Sequence, residues 1–249
     1  MRWEQVLLAL ILVAAVAALP ACETTQQTSE RLSKNAGSLL AVKGLRITRE
    51  NTGVKVESET VLHDANGVAA VVGLRNTGPA QASVPVAIDV RDAKGRSLYS
   101  NSVPGLDPSL TSLPAIARGA RTFWVNNQIP TATAPHRVAA KIGATKAAVP
   151  GALPKIEITK LTYGKDVSGI FARAVIANRS KIAQRRLVVA CVALRGSKVV
   201  AAGRAIVEKL QPAPTPKPVT FRVYFIGDPK GGTLSCVAPP TVLAAGSSS

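Results

Sequence analysis

The chain has 249 residues, with 31 Lys and Arg against 14 Asp and Glu, a formal net charge of +17 at pH 7. Apolar residues make up 47% and aromatics only 4%. This length allows one or two domains with real cores. Scarce aromatics with abundant Ala and Val suit thin sandwich cores and argue against an enzyme with deep aromatic pockets.

At the start, Arg2 leads into an unbroken apolar run, Val6 to Leu19, which ends in Leu19-Pro20-Ala21-Cys22. A helix crossing the hydrocarbon core needs about 20 residues, so this shorter run suits the apolar region of an export signal. An ordinary signal has small residues at both −3 and −1. Here Leu19 stands at −3 and Ala21 at −1, followed by Cys22, the arrangement of a lipoprotein signal. Residues 1–21 are therefore expected to be cleaved, and the Cys22 sulfur to carry lipid outside the cytoplasm. Two acyl chains hold where one is marginal. The rival readings are an uncleaved anchor ended by Pro20, and a buried Cys after a core helix. No polar face interrupts the run, which speaks against a core helix. Cleavage removes Arg2 and Glu4 together and leaves the charge at +17. Residues 23–37 are polar and aperiodic, which marks a flexible tether over 22–44.

Beyond the tether the chain repeats. Gly53–Asn76 lies over Lys155–Asn178 at an offset of 102 without a gap, placing Gly67 on Gly169 and Asn76 on Asn178. Val68, Ala70, Val72 and Leu74 fall on Ile170, Ala172, Ala174 and Ile176, and Val86 and Val90 fall on Val188 and Val192. Thr122-Phe123-Trp124-Val125 matches Thr220-Phe221-Arg222-Val223 at an offset of 98. Self-similarity over about 90 residues reads as a tandem duplication. Within a copy, Val68 to Leu74 and Val84 to Val90 alternate with period two, the signature of half-buried antiparallel strands. Asn66-Gly67, Asn76-Thr77-Gly78-Pro79, Lys94-Gly95 and Arg118-Gly119 mark the turns between them. No alternating helical pattern is present. The expected fold is all-β: two tandem immunoglobulin-like antiparallel β-sandwiches over 45–146 and 147–243, with a disordered tail over 244–249. Pro212 to Pro218 reads as a stiff, extended structural loop.

Three stretches of copy one carry a resemblance: Gly73 to Gly78, Ile88 to Gly95, and Leu113 to Gly119 before Thr122-Phe123. They are similar to the FxLYD-type and CARDB-type β-sandwich domains of prokaryotic envelope proteins, although Ile88 and Arg91 stand where that motif has Phe and Tyr. The resemblance implies adhesion, spacing or ligand display and supplies no catalytic residue.

With Cys22 in the anchor, Cys191 and Cys236 are a candidate disulfide in an exported chain; the alternative is two buried thiols. Residues 147–249 hold 15 basic and four acidic residues, a net +11. The densest cluster contains Arg179, Lys181, Arg185 and Arg186, a candidate site for anionic lipid headgroups or a phosphate-bearing wall polymer. The competing reading is a solvated face that aids solubility. A nucleic-acid partner is not expected, because the compartment is wrong and no aromatic platform interleaves the cations. Phe123 and Phe221 are expected in the cores. Trp124 falls on the opposite face, half-exposed or at an interface with another envelope protein.

No catalytic, metal or cofactor site is expected. His63 and His136 lack metal-ligand spacing, Asp89 and Asp92 face opposite sides of one strand, and no hydrolase or phosphate-loop motif is present. The expectation is a non-enzymatic, lipid-anchored envelope protein whose basic second domain engages an anionic surface. The alternative is an accessory subunit of an envelope or secretion assembly, docking through a sheet edge or Trp124.

Overall fold

Period-two alternation and regular turns produce antiparallel strands throughout. The computed structural model describes residues 44–212 and 217–244. Expectations for the signal, Cys22, the tether to residue 43, residues 213–216 and the tail from 245 lie outside the described residues.

The first sandwich holds β1 (Val54–Asp64), β2 (Gly67–Asn76), β3 (Gln81–Arg91), β4 (Ser97–Ser100), β5 (Ser112–Ile116), β6 (Arg121–Asn126) and β7 (Arg137–Ile142). The second holds β8 (Ile156–Asp166), β9 (Gly169–Asn178), β10 (Gln184–Arg195), β11 (Lys198–Leu210), β12 (Val219–Tyr224), β13 (Ile226–Gly227) and β14 (Thr233–Val237). The bounds of β8 and β9 reproduce those of β1 and β2 at the 102-residue offset. The matched asparagines are buried turn-formers. Asn76 donates to Pro79 O at 2.7 Å and accepts from Gly78 N–H; Asn178 donates to Ile182 O at 2.7 Å and accepts from Ser180 N–H.

In the first sandwich, sheet β1-β2-β6 packs on β3 and its neighbours β4, β5 and β7. The core between them contains Val72, Leu74, Val84, Val86, Ile88 and Val90. Buried Asn101 sits where the partner of β3 changes from β5 to β4. It accepts from Ile88 N–H at 2.8 Å and donates to Val86 O and Leu110 O, so no backbone group there is orphaned. In the second sandwich, sheet β8-β9-β12 packs on β13-β11-β10-β14 over Ala174, Ile176, Leu187, Val189 and Phe221.

A third core joins the two. Val71 and Val125, on the outer face of β1-β2-β6, pack against Ala190, Val192, Val199 and Ala202 on the outer face of β10 and β11. The result is four stacked sheets with three apolar layers. The described residues of both sandwiches form one compact unit. Three polar ties flank the third core. Gly227 N–H donates to Asp64 Oδ2 at 2.8 Å, Arg186 Nη2 donates to Asp107 Oδ2 at 2.7 Å, and Arg204 Nη1 donates to Ser109 Oγ at 3.0 Å.

The structure corrects three expectations. β2 is not half-buried; Val68 to Leu74 are covered on both faces, which is why the run Val-Ala-Ala-Val-Val-Gly-Leu is continuously apolar. Trp124 is not on a free face. It opposes Val72 in the ladder and is 3% exposed within the first core. In the second sandwich it is Phe221 that opposes Ala174, the residue equivalent to Val72. The sixth-strand match is therefore shifted by one residue, and Trp124 is the structural counterpart of Phe221. Phe123 consequently leaves the sandwich core and packs on the third layer.

The cysteine pair is a disulfide, Cys191–Cys236, joining adjacent strands β10 and β14 of one sheet rather than bridging two sheets.

Candidate functional site

The basic cluster begins at the Asn178 turn, which is held rigidly. Gln184, 1% exposed, donates to Val242 O at 2.9 Å and accepts from Thr241 N–H at 2.9 Å, pinning the start of β10 to the last described segment. From this frame the four predicted cations diverge. Arg179 Nε meets Glu157 Oε2 at 2.6 Å. Arg186 adopts φ 46° and turns toward Asp107, with Glu208 at 3.8 Å. These two arginines serve internal carboxylates. Lys181 and Arg185 remain exposed, with no ion pair among the described residues.

Sequence reasoning missed the partner of Arg185. In the β10–β11 ladder Arg185 stands directly opposite Lys209. Counting back from the Arg195↔Lys198 turn would place Glu208 there. A bulge between Ala193 and Leu194 advances the register by one and substitutes the lysine. Like charges directly opposite are destabilising in a sheet, so this pair favours an external anion. Neither cation of the pair is ion-paired with a carboxylate among the described residues. All four acidic residues of 147–249, Glu157, Asp166, Glu208 and Asp228, are already paired with arginines. No lysine of that half has a carboxylate partner among the described residues.

A second opposed pair, Arg173 and Arg222, lies on the outer face of β9 and β12. Arg222 is compensated: its guanidinium lies 4.7 Å from the Phe171 ring centroid and Nη1 is 3.2 Å from Asp166. The Tyr224 hydroxyl bonds Asp166 at 2.7 Å, and with Ser168, Arg222 and Gly169 it holds that carboxyl below its ordinary range against the opposing effect of desolvation. Between the sandwiches, burial alone would raise the Asp107 carboxyl. The Ser109 hydroxyl and N–H together with Arg186 outweigh it and hold Asp107 below the ordinary value. Desolvation lowers Arg204, against the attraction of Asp107.

His63 and His136 are exposed and lie on separate elements. Among the described residues no group of three or more His, Cys, Asp or Glu is placed to hold a metal, and no helix is long and apolar enough to cross a membrane. Trp124 Nε1 and Thr122 Oγ1 are buried without a hydrogen-bond partner among the described residues.

These features describe stacked β-sandwiches with a basic, mostly unpaired surface on the second. No protein-family model matches the chain, and no curated protein matches it.

Proposed function

We propose that this chain is a non-catalytic binding or structural module of the cell envelope, anchored outside the cytoplasm through lipid on Cys22, whose second sandwich engages an anionic membrane surface or wall polymer. The observation that carries this reading is the Arg185–Lys209 pair, two cations directly opposite in the ladder, neither of them ion-paired with a carboxylate among the described residues. The export signal in residues 1–22 and the FxLYD- and CARDB-like turn motifs support the compartment. Each cation near an anionic membrane contributes about 1 kcal/mol.

The test uses the chain from Glu23 on, which bears no acyl group, co-sedimented with phosphatidylglycerol or phosphatidylcholine vesicles. Binding is expected only to the anionic vesicles, and to fall as salt rises. Arg185→Ala with Lys209→Ala should weaken it by about 2 kcal/mol, roughly thirtyfold. Equal partition onto both vesicle types, or insensitivity to salt, would remove the reading. Mass spectrometry of the mature N-terminus tests the anchor separately.

A further inference from the structure

The two copies of the repeat differ at one seam. In the first sandwich, the segment before β1 is stitched to the free edge of β7. Asn51 N–H donates to Ile142 O and Ala144 N–H to Arg49 O, Asn51 Nδ2 donates to Gly143 O at 3.1 Å, and Glu59 Oε1 accepts from Ala140 N–H at 2.6 Å. At the 102-residue offset, Asn51 becomes Leu153 and Glu59 becomes Leu161. Neither side chain can hydrogen-bond. Pro150 and Pro154, flanking Leu153, also lack N–H donors. Among the described residues no backbone hydrogen bond joins β8, or the segment before it, to β14. The far end is closed instead by the Tyr163 hydroxyl, which donates to Gly232 O at 2.7 Å.

Where the stitch is missing, a groove of about 500 Å³ opens between β8 and β14 and runs onto β5 and β6 of the first sandwich. Its walls are mainly apolar, including Ile116, Ile156, Ile158 and Val237. Thr122 also lines it; this residue is 8% exposed and its hydroxyl has no hydrogen-bond partner among the described residues. One wall is an unpaired sheet edge. The Cα atoms of Cys191 and Cys236 are 4.1 Å apart, the close spacing of a non-hydrogen-bonded position in an antiparallel ladder. The N–H and C=O of Cys236, and by alternation those of Leu234, therefore point away from β10. No bond to them is made among the described residues. Of the two cations lining the groove, Arg121 is engaged by Glu57 at 2.9 Å, and Lys155 has no ion pair among the described residues.

We propose that this groove takes an extended peptide of a partner protein by β-strand addition to β14, with alternate apolar side chains on Ile156 and Ile158 and a carboxylate at Lys155. Main-chain bonds supply affinity in such a mode, and the pockets supply selection. The groove lies outside the Arg185–Lys209 pair, so the proposal stands apart from vesicle binding.

The test is anisotropy of a labelled heptapeptide, Val-Thr-Val-Thr-Val-Thr-Asp, titrated with the full chain. Three comparison peptides are used: one ending in Lys, one N-methylated at alternate residues, and a scrambled Gly-Ser peptide. Saturable binding by the Asp-ended peptide is expected, roughly tenfold weaker for the Lys-ended one and lost on N-methylation. Leu153→Asn with Leu161→Glu, which restores the first sandwich's stitch, should weaken binding by roughly tenfold. If that variant misfolds, hydrogen exchange in the unaltered chain reads the same point, since the Leu234 and Cys236 amides should slow only when the Asp-ended peptide is present. No saturable binding, equal binding of the N-methylated peptide, or unchanged exchange at those amides would overturn the proposal. Concentration-dependent dimerisation that protects the same amides without peptide would assign the groove to a second copy of the chain and overturn the partner assignment. Loss of vesicle binding with retained peptide binding would fault only the anion-surface reading.

Discussion

Val71 and Val72 are neighbours on β2 with opposite assignments. Val72, 0% exposed, lies in the first sandwich's core, and Val71, 1% exposed, in the layer shared with the second. Were the sandwiches independent, Val71 would be a surface residue and its truncation nearly silent. In the stacked arrangement, Val71→Ala removes two buried carbon groups worth about 0.8 kcal/mol each. A residual cavity of ~50 Å³ adds up to about 1.2 kcal/mol if the β-layers do not relax. The expected loss is about 1.6 to 2.8 kcal/mol, matched by Val72→Ala. For a unit of this size that is a fall of roughly 4–9 °C in Tm. Urea unfolding followed by far-ultraviolet dichroism and by tryptophan fluorescence measures both variants. In the chain from Glu23 on, which lacks Trp3, Trp124 reports on the first sandwich and dichroism on both, so the two probes should trace one transition. A loss under about 0.5 kcal/mol for Val71→Ala alongside a normal loss for Val72→Ala would refute a cohesive third layer. So would two separate transitions in the wild-type chain.

The disulfide closes a separation of 45 residues, for which the chain-entropy relation gives about 4 kcal/mol. Cys191→Ala with Cys236→Ala should lower the urea midpoint accordingly; an unchanged midpoint would show that the crosslink does not restrain the unfolded chain. Lys160 sits at a bulge in β8 with φ 53°, a conformation that favours glycine. Lys160→Gly should raise stability by about 0.5 to 1 kcal/mol, and a loss measured by the same unfolding would contradict strain there. The folded-state pKa of Asp107 is depressed below 3.8, so its contribution is complete above that value and disappears as pH falls through the folded-state pKa. The Tm difference between wild type and Asp107→Asn should therefore be flat from neutral pH down to about 4 and shrink below it; a difference that grows on acidification would reverse the sign and remove the tie. Stability lost on replacing Asp107 should be about 1 kcal/mol, because its partner Arg186 is more than half exposed.

Much of this protein was legible from local signals. Alternation in β3 placed Val84, Val86, Ile88 and Val90 inward, because successive side chains on a strand point to opposite faces whatever lies beyond. The matched turn asparagines and the offset of 102 marked the duplication, because turn chemistry is carried by a few adjacent residues. Two cysteines in a chain read as exported were enough to nominate their bond. The candidate site was only half visible, since charge density in a sequence locates cations without saying which ones find partners.

Length, turn residues and two-residue periodicity thus determined an all-β chain of repeated sandwich units, for these depend on neighbours in sequence. Tertiary structure decided which outer faces meet. It buried Trp124, covered β2 on both sides, engaged Arg179 and Arg186 with internal carboxylates, and left Lys181 and Arg185 without an ion pair among the described residues. One bulge exchanged Glu208 for Lys209 opposite Arg185. Sheet docking and ladder register are long-range properties, and a displacement of one residue reverses a face or the sign of a neighbouring charge.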